Sequence, residues 1–232
     1  MNKIFSFLSD IFLDIFFPKR CVNCGKYGDL LCFGCVGEIE AIKTDTCPEC
    51  GRISKHGRFC TNCKRKLGME LTGLLVAAHY RGPIKKMIHQ YKYAGIRDLS
   101  VLLGEILFQR LHDHTLPGLI VVPVPLHRKR EAGRGFNQSE LMARYISKKL
   151  NLAGGMALAR VKNTEPQARL AKAKRLTNLT GAFAVVDKDL VSGRDVLLVD
   201  DVATTLATLN ECAKVLRQSG ARRVWGSVVA RG

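Results

Sequence analysis

Val196-Leu-Leu-Val-Asp-Asp-Val-Ala-Thr-Thr-Leu-Ala-Thr208 is the stretch that decides the fold of this 232-residue chain. Its first four residues have the length and composition of a buried central strand. A Thr-rich turn follows, and a helix is predicted from about Thr205 to Ser219, with Gly220 as its stop signal. Open α/β sheets bind ligands where their strands end, and the free N–H groups of a helix N-terminus attract phosphate. The stretch therefore predicts a phosphate-binding site at the carboxyl end of a buried strand.

Two adjacent carboxylates, Asp200 and Asp201, stand between the strand and the turn. They suit the hydroxyls of a ribose, or a Mg²⁺ ion that also contacts a phosphate. The alternative is a plain strand–turn–helix unit in which Asp201 only caps the helix. We favour the ligand site, because a paired Asp-Asp followed by Thr-Thr is more than a cap requires.

Strands and helices alternate on either side of this stretch, from Leu71 onward. Strands are predicted at Leu71–Tyr80, Gly118–Val124, Leu158–Val161, Ala182–Val186, Val196–Val199 and Arg223–Ala230, and helices at Pro83–Tyr93, Asp98–His112, Gln138–Leu150 and Thr205–Ser219. Asn137 and Glu140 form a capping-box-like start for the third of these helices. The order predicts an α/β fold over residues 69–232, with a parallel sheet and crossover helices on both faces.

The composition is that of a globular protein, with 47% hydrophobic and 25% charged residues, which excludes a disordered chain, a collagen-like chain and a coiled coil. The formal net charge is +17 at pH 7. A balance this basic predicts an anionic partner, which could be a nucleic acid, a phosphorylated small molecule or an acidic lipid.

Eight of the nine cysteines form four Cys-x-x-Cys pairs within residues 19–68, a predicted double zinc ribbon. The pairs are Cys21 and Cys24, Cys32 and Cys35, Cys47 and Cys50, and Cys60 and Cys63. This spacing is typical of zinc knuckles, and it predicts two structural zinc ions, because four Cys ligands leave no coordination position for catalysis. Sequential sharing gives the first four cysteines to one ion and the last four to the other. An interleaved cross-brace is the alternative.

The remaining cysteine and the histidines give no catalytic set. Cys212 reads as a small buried apolar residue. We expect that the six histidines do not cluster, and that His56 could replace a zinc ligand only if a cysteine did not bind. The other five read as ordinary surface or core residues, namely His79, His89, His112, His114 and His127.

The first 18 residues, 1–18, read as an amphipathic helix with a polar stripe at Ser6, Asp10 and Asp14. The segment is too short and too acidic to span a bilayer, and it lacks the features of a signal peptide. We expect a helix packed on the body of the protein, with no transmembrane segment. A helix that docks on a membrane surface or a partner is the alternative.

The chain as a whole resembles a known family. The stretch at 196–208 resembles the phosphoribosyl-pyrophosphate (PRPP) motif of type I phosphoribosyltransferases, and further motifs narrow the resemblance to the ComF/GntX-type competence-associated proteins. These motifs are the Cys-x-x-Cys ribbons, Tyr91-Lys92-Tyr93, Pro123-Val124-Pro125-Leu126, Arg134-Gly135-Phe136-Asn137-Gln138, and the spaced Thr164, Gln167, Leu170, Arg175, Asn178, Gly181 and Phe183. The resemblance implies a type I phosphoribosyltransferase-like sheet behind the double zinc ribbon, with PRPP and Mg²⁺ as ligands.

The resemblance also implies site residues, partners and a location. PRPP-binding residues would be Asp200, Asp201, Ala203, Thr204, Thr205, Ala207 and Thr208, and pyrophosphate-binding residues Arg128, Lys129 and Arg134. The family is associated with the uptake and use of external DNA, on the cytoplasmic side of the inner membrane. Single-stranded DNA and DNA-uptake proteins are the partners that this association implies.

Leu206 is the one plain departure from the family pattern, which has glycine there. If the turn needs a positive φ, a leucine is strained by ~1 kcal/mol or more. Either the chain is already helical at Leu206, which then points into the core, or phosphate binding is weakened.

Two basic segments could serve the same ligand. His127–Arg134 is expected to be a cationic loop that receives pyrophosphate, or else a solvated run of charge. Arg160–Arg175 would form a hood over the site or a contact for single-stranded nucleic acid.

Two functions from different classes follow. In the first, the protein is a phosphoribosyltransferase: Asp200 and Asp201 hold the ribose hydroxyls of PRPP, the threonines hold its 5′-phosphate, and a nitrogenous acceptor displaces pyrophosphate. In the second, it is a non-catalytic zinc-containing adaptor that handles single-stranded DNA or binds uptake proteins.

Overall fold

A computed structural model describes residues 18–114, 118–164 and 179–232. The strands are β1 Gly73–His79, β2 Leu119–Pro123, β3 Leu158–Arg160, β4 Phe183–Val185, β5 Asp195–Ala203 and β6 Arg223–Arg231. The α-helices are α1 Phe33–Gly37, α2 Thr61–Leu67, α3 Gly82–Tyr93, α4 Leu99–Leu111, α5 Arg128–Arg134, α6 Gln138–Leu150, α7 Lys188–Val191 and α8 Ala207–Gln218. Lys55–Gly57 and His112–His114 form short 3₁₀ turns.

The central sheet has the strand order β1-β6-β5-β2, and every pair in it is parallel. β3 and β4 form a separate antiparallel pair. The predicted α/β class with a parallel sheet is therefore confirmed. Apolar runs such as β2, buried along its whole length, are what a sheet covered on both faces requires.

Helices and ribbons cover the two faces of this sheet. Leu75, Leu197 and Trp225 pack with α3, α4, α6 and the first cysteine cluster, whereas Leu74 and Leu198 pack with α8 and the second cluster. The alternation follows from the two-residue period of a strand. The double zinc ribbon is thus part of both cores. The boundary between 19–68 and 69–232 stays a prediction.

Two predicted elements are corrected. The strand predicted at Val196–Val199 runs on to Ala203, because Asp200 and Val202 continue the parallel pairing with β6. The segment 127–134, predicted as a loop, is helical from Arg128 to Arg134: the side chain of His127 accepts a hydrogen bond from the Lys129 N–H at its start.

Other local predictions are confirmed. The helix Gln138–Leu150 has the predicted bounds, and the Asn137 side chain caps it by accepting a hydrogen bond from the Ser139 N–H at 3.1 Å. Cys212 is fully buried on α8. Among the described residues, no helix is long and apolar enough to cross a membrane. The predicted N-terminal amphipathic helix falls almost entirely on residues 1–17, outside the described part of the chain.

Candidate functional site

The largest collection of predicted site residues lines a cavity of about 430 Å³ at the carboxyl ends of β2 and β5. Parallel strands end together at this edge, so side chains from distant parts of the sequence converge there. Charged and polar residues dominate the wall. They are His89, Lys92, Tyr93, Arg130, Arg134, Asn137, Gln138, Ser139, Arg160, Asp200, Asp201, Thr204 and Thr208.

The two predicted acids have different partners. Asp200 accepts a hydrogen bond from Ser139 Oγ at 2.7 Å and one from the backbone N–H of Asp201 at 2.9 Å. Asp201 forms an ion pair with Lys92, whose Nζ lies 2.8 Å from Oδ1. Lys92 is on α3, and Ser139 is in the first turn of α6. The acidic pair is therefore held by two helices on the same face of the sheet.

Burial changes the proton affinity of this group of side chains. Burial raises the pKa of Asp200 to about 7, and the carboxylate of Asp201 beside it adds to the effect. For Lys92, burial acts to lower the pKa, but the attraction of Asp201 outweighs it and raises the pKa above its ordinary value. The lysine thus stays a cation, while Asp200 exchanges its proton near neutral pH.

The N-terminus of α8 meets the cavity beside Thr204 and Thr208. The N-cap residue of this helix is Leu206, whose side chain cannot accept a hydrogen bond from the first turn. Thr204 is exposed, and both threonines line the cavity. Thr205, Ala203 and Ala207 are not among the lining residues, and the Thr205 hydroxyl is buried without a partner.

Leu206 adopts φ 62° and ψ 0° at the start of α8, in the left-handed region, and its side chain is 4% exposed. The position thus needs a positive φ, the condition that favours glycine. Burial of the leucine side chain in the core next to α8 offsets this backbone strain.

Three arginines bring positive charge to the wall of the cavity. Arg134 donates to Gln138 Oε1 at 3.0 Å and stacks over the ring of Tyr93, 5.7 Å from its centroid. Arg130 and Arg160 both donate to Thr164, through its backbone oxygen and its hydroxyl. Arg160 Nε is buried without a partner. A half-buried guanidinium group with an unused donor suits an anionic ligand.

The predicted pyrophosphate residues divide into two sets. Arg134 lines the cavity, whereas Arg128 and Lys129 are exposed on α5 and are not among its lining residues. Arg130 and Arg160 line the cavity and belong to the two basic segments that were predicted to serve the ligand. Lys92 and Ser139 line it without a predicted role; the sequence signals near them were the Tyr91-Lys92-Tyr93 motif and the cap at Asn137. Residues 165–178 of the predicted hood lie outside the described part of the chain.

The eight ribbon cysteines form two groups of four, in the sequential arrangement. Cys21, Cys24, Cys32 and Cys35 make one group, and Cys47, Cys50, Cys60 and Cys63 the other, with all Sγ atoms of a group within 4.8 Å of one another. Burial acts to raise the pKa of Cys21 and of Cys47, but backbone N–H groups aimed at each sulfur lower it to about 6. Two groups of four converging thiols are consistent with two structural zinc ions.

Comparison with known proteins supports the ribbon directly. Residues 12–64 match the family model described as a double zinc ribbon domain. The chain is 33% identical over 228 residues to "Competence protein F" of Haemophilus influenzae, covering 91% of this chain and 97% of that protein. It is also 33% identical to "DNA utilization protein YhgH" of Escherichia coli K12, covering 89% of this chain and 94% of that protein.

A more distant relative and two solved structures complete the comparison. "Competence protein ComFC" of Bacillus subtilis is 26% identical, over 84% of this chain and 81% of that protein. A glutamine PRPP amidotransferase from B. subtilis aligns at 20% identity and TM-score 0.38, and an allosteric regulatory enzyme of purine biosynthesis at 18% and 0.39. These alignments cover 55% and 56% of this chain and 25% of each enzyme. Scores this low do not establish a shared activity.

Proposed function

Because this chain belongs to the ComF/YhgH family of competence and DNA-utilization proteins, we propose that it binds PRPP in the cavity at the ends of β2 and β5 and acts as a phosphoribosyltransferase. The observation that carries the proposal is the meeting, in one cavity, of an acidic pair, an uncapped helix N-terminus and a cationic wall. A phosphorylated sugar diphosphate needs all three kinds of contact.

The acidic pair suits the ribose end of such a ligand. Asp200 and Asp201 offer carboxylate oxygens to the sugar hydroxyls, and Ser139 fixes the orientation of Asp200. Thr204, Thr208 and the first-turn N–H groups of α8 suit the 5′-phosphate. This division follows from the chemistry. Sugar hydroxyls donate hydrogen bonds to carboxylates, whereas phosphates accept hydrogen bonds from N–H and O–H groups.

The cationic wall suits the diphosphate. Arg134, with Arg130 and Arg160, would stabilise the negative charge that builds up on pyrophosphate as its bond to C1 breaks. A nitrogen atom of the acceptor forms the new bond to C1 and loses a proton. Oxygen ligands of the kind that Asp200 and Asp201 supply fit Mg²⁺, which would neutralise diphosphate charge when it is bound. The protein residues hold and orient the reactants.

A thermal-shift titration tests the proposal. Magnesium PRPP should raise the melting temperature of the full chain, because a ligand that binds only the folded state stabilises it. Exchange of Asp200→Asn together with Asp201→Asn should abolish the shift, whereas Asp189→Asn, an exposed acid on α7, should retain it. Absence of a shift in the unchanged protein would contradict PRPP binding. A shift that survives the double exchange would show that PRPP binds at another site.

A second candidate function is a non-catalytic adaptor for single-stranded DNA or uptake proteins. Two observations favour it: Leu206 occupies a turn position with φ 62°, where the family has glycine, and Arg128 and Lys129 face solvent outside the cavity. Product formation separates the two functions. Release of pyrophosphate with candidate bases supports the enzyme, and PRPP binding without turnover supports the adaptor.

A further inference from the structure

A second cluster of polar side chains lies away from the PRPP cavity, where the second ribbon meets the sheet. Asp45 precedes the third cysteine pair, His56 is in the 3₁₀ turn between the third and fourth pairs, and His114 ends the turn that follows α4. One potential ligand atom from each residue lies within 4.8 Å of the others. The expectation that the histidines do not cluster is therefore wrong for His56 and His114, which come together only in the folded chain.

The backbone places His56 in an unusual conformation. Its φ is 56° and its ψ 30°, left-handed values that are uncommon for a residue with a Cβ. The next residue, Gly57, lies so close to the backbone of Leu74 on β1 that a side chain there would collide with it. The turn is thus pressed against the sheet, with the imidazole of His56 fixed beside Asp45. A backbone conformation of this kind persists only where the surrounding structure enforces it, and such residues are concentrated at functional sites.

The hydrogen bonds of the cluster leave two imidazole nitrogens unused. His114 Nε2 lies 2.7 Å from Asp45 Oδ2, which also accepts a hydrogen bond from the backbone N–H of His56 at 3.0 Å. The Nδ1 atoms of both His56 and His114 are buried without a hydrogen-bond partner. Burying a polar atom without a partner costs free energy, so the unpaired nitrogen of His56, in the same cluster as Asp45, needs an explanation.

Arg110 completes the setting from α4. Its guanidinium donates to Asp45 Oδ1 and to the backbone oxygen of Val76 on β1, the latter at 3.0 Å. The arginine therefore fixes one carboxylate oxygen and leaves the other, Oδ2, facing the histidines. A partner that orients a ligating carboxylate in this way is a common feature of metal sites.

We propose that Asp45, His56 and His114 bind a third metal ion, a divalent transition metal such as zinc, that joins the second ribbon to the sheet. Two imidazoles and one carboxylate are a donor set that suits zinc and other borderline metals, with water at the remaining position. Tetrahedral nitrogen and oxygen ligands of zinc lie ~3.3 Å apart, so an ion fits between His114 Nε2 and Asp45 Oδ2 once their 2.7 Å contact opens by ~0.6 Å, and His56 needs to close on it by ~1.5 Å at most. The ion takes the place of the hydrogen bond between those two atoms and connects three separate segments.

The proposal does not depend on PRPP binding, and the metal content of the whole protein tests it. Tag-free full-length protein is dialysed to equilibrium against buffered Zn²⁺, and the zinc bound per chain is measured by elemental analysis. We expect three ions in the unchanged protein and two in His56→Gln and in His114→Gln. The matched control is His112→Gln, an exposed histidine two residues from His114, which should keep three.

A second measurement uses Co²⁺ in place of zinc. The thiolate-to-cobalt absorption of the two cysteine groups should be the same in all four proteins, which shows that the ribbons are intact. Weaker bands without thiolate character should disappear in His56→Gln and His114→Gln only. Two ions in the unchanged protein, or the same content in both histidine variants as in the unchanged protein, would overturn the proposal.

Discussion

Lys92 Nζ lies 2.8 Å from Asp201 Oδ1, with only 23% of the lysine side chain and 6% of the aspartate side chain exposed. The pair joins α3 to the end of β5 and neutralises one of the two acids on which the proposed site depends. A ligand that enters the cavity therefore meets two acids, one of which already has Lys92 as its counter-ion. Lys92 is part of the site as much as the acids are.

A double-mutant cycle measures this pair. Lys92→Met and Asp201→Asn should each lower the free energy of unfolding by ~2 kcal/mol. Each exchange removes one charge of the ion pair and leaves the other charge mostly buried without its partner. The double exchange should cost less than the sum, with a coupling of ~1 kcal/mol or more. Urea unfolding of the four proteins gives the values.

The exposed pair of Arg144 and Glu140 on α6 is the control for that cycle, since the arginine side chain is 75% exposed. Its coupling should be no more than ~0.5 kcal/mol. Strict additivity at Lys92 and Asp201 would contradict the ion pair as a stabilising contact.

The raised pKa of Asp200 makes stability depend on pH in a definite direction. The folded state keeps the Asp200 proton up to about pH 7, whereas an unfolded aspartate loses it near 3.8. The native state therefore binds more protons between these values, so this group's stabilising contribution is complete below pH ~4 and is lost as the pH rises to 7. Asp200→Asn should remove this part of the pH dependence. The free energy of unfolding is measured for both proteins at a series of pH values. If it changes with pH in the same way in both, Asp200 does not titrate in this range.

How much of the site the sequence predicts depends on how far apart its residues lie in the chain. Asp200, Asp201 and the helix that begins at Ala207 are neighbours in the chain, so their arrangement follows from local pattern, and four of the residues predicted at this strand end line one cavity. Lys92 and Ser139 reach the same point only through the packing of α3 and α6 on the sheet. Nothing in their local sequence indicates which acid each would contact.

The two corrected elements have different causes. Basic, glycine-containing sequence around 127–134 favours a loop, but the His127 side chain caps the first turn and Gly135, at φ 78°, ends the last. For the strand, Asp200 has low intrinsic strand propensity, and pairing with β6 overrides it. Local capping therefore sets the helix, whereas a tertiary contact that the local pattern does not contain sets the length of the strand.

Leu206 gives a prediction in which two effects oppose each other. Leu206→Gly loses a buried side chain but relieves a positive φ, whereas Leu206→Ala loses nearly the same side chain and keeps the strain. Both should be less stable than the unchanged protein, by ~2 kcal/mol or more for the alanine. The glycine variant should be more stable than the alanine variant by ~1 kcal/mol. Elsewhere the greater freedom of an unfolded glycine gives the reverse order, so an alanine variant that unfolds at higher urea would contradict a left-handed Leu206.

The exposed and the cavity-facing cations separate the binding of DNA from that of PRPP. Arg128 and Lys129 face solvent on α5, while Arg134 lines the cavity. Lysine and arginine release counterions from phosphates, and for single strands each neutralised phosphate adds about −0.7 to the slope of log K against log salt. Arg128→Gln with Lys129→Gln should therefore make the slope for a labelled oligonucleotide shallower by ~1.4.

The same exchanges should leave the thermal shift with magnesium PRPP unchanged, whereas Arg134→Gln should reduce it because this guanidinium faces the cavity. The comparison therefore assigns each cation to one ligand. If saturating PRPP displaces the oligonucleotide completely, and Arg134→Gln weakens both ligands equally, DNA and PRPP share one site and the α5 surface has no role in binding. If no oligonucleotide binds even at low salt, direct contact of this chain with single-stranded DNA is excluded.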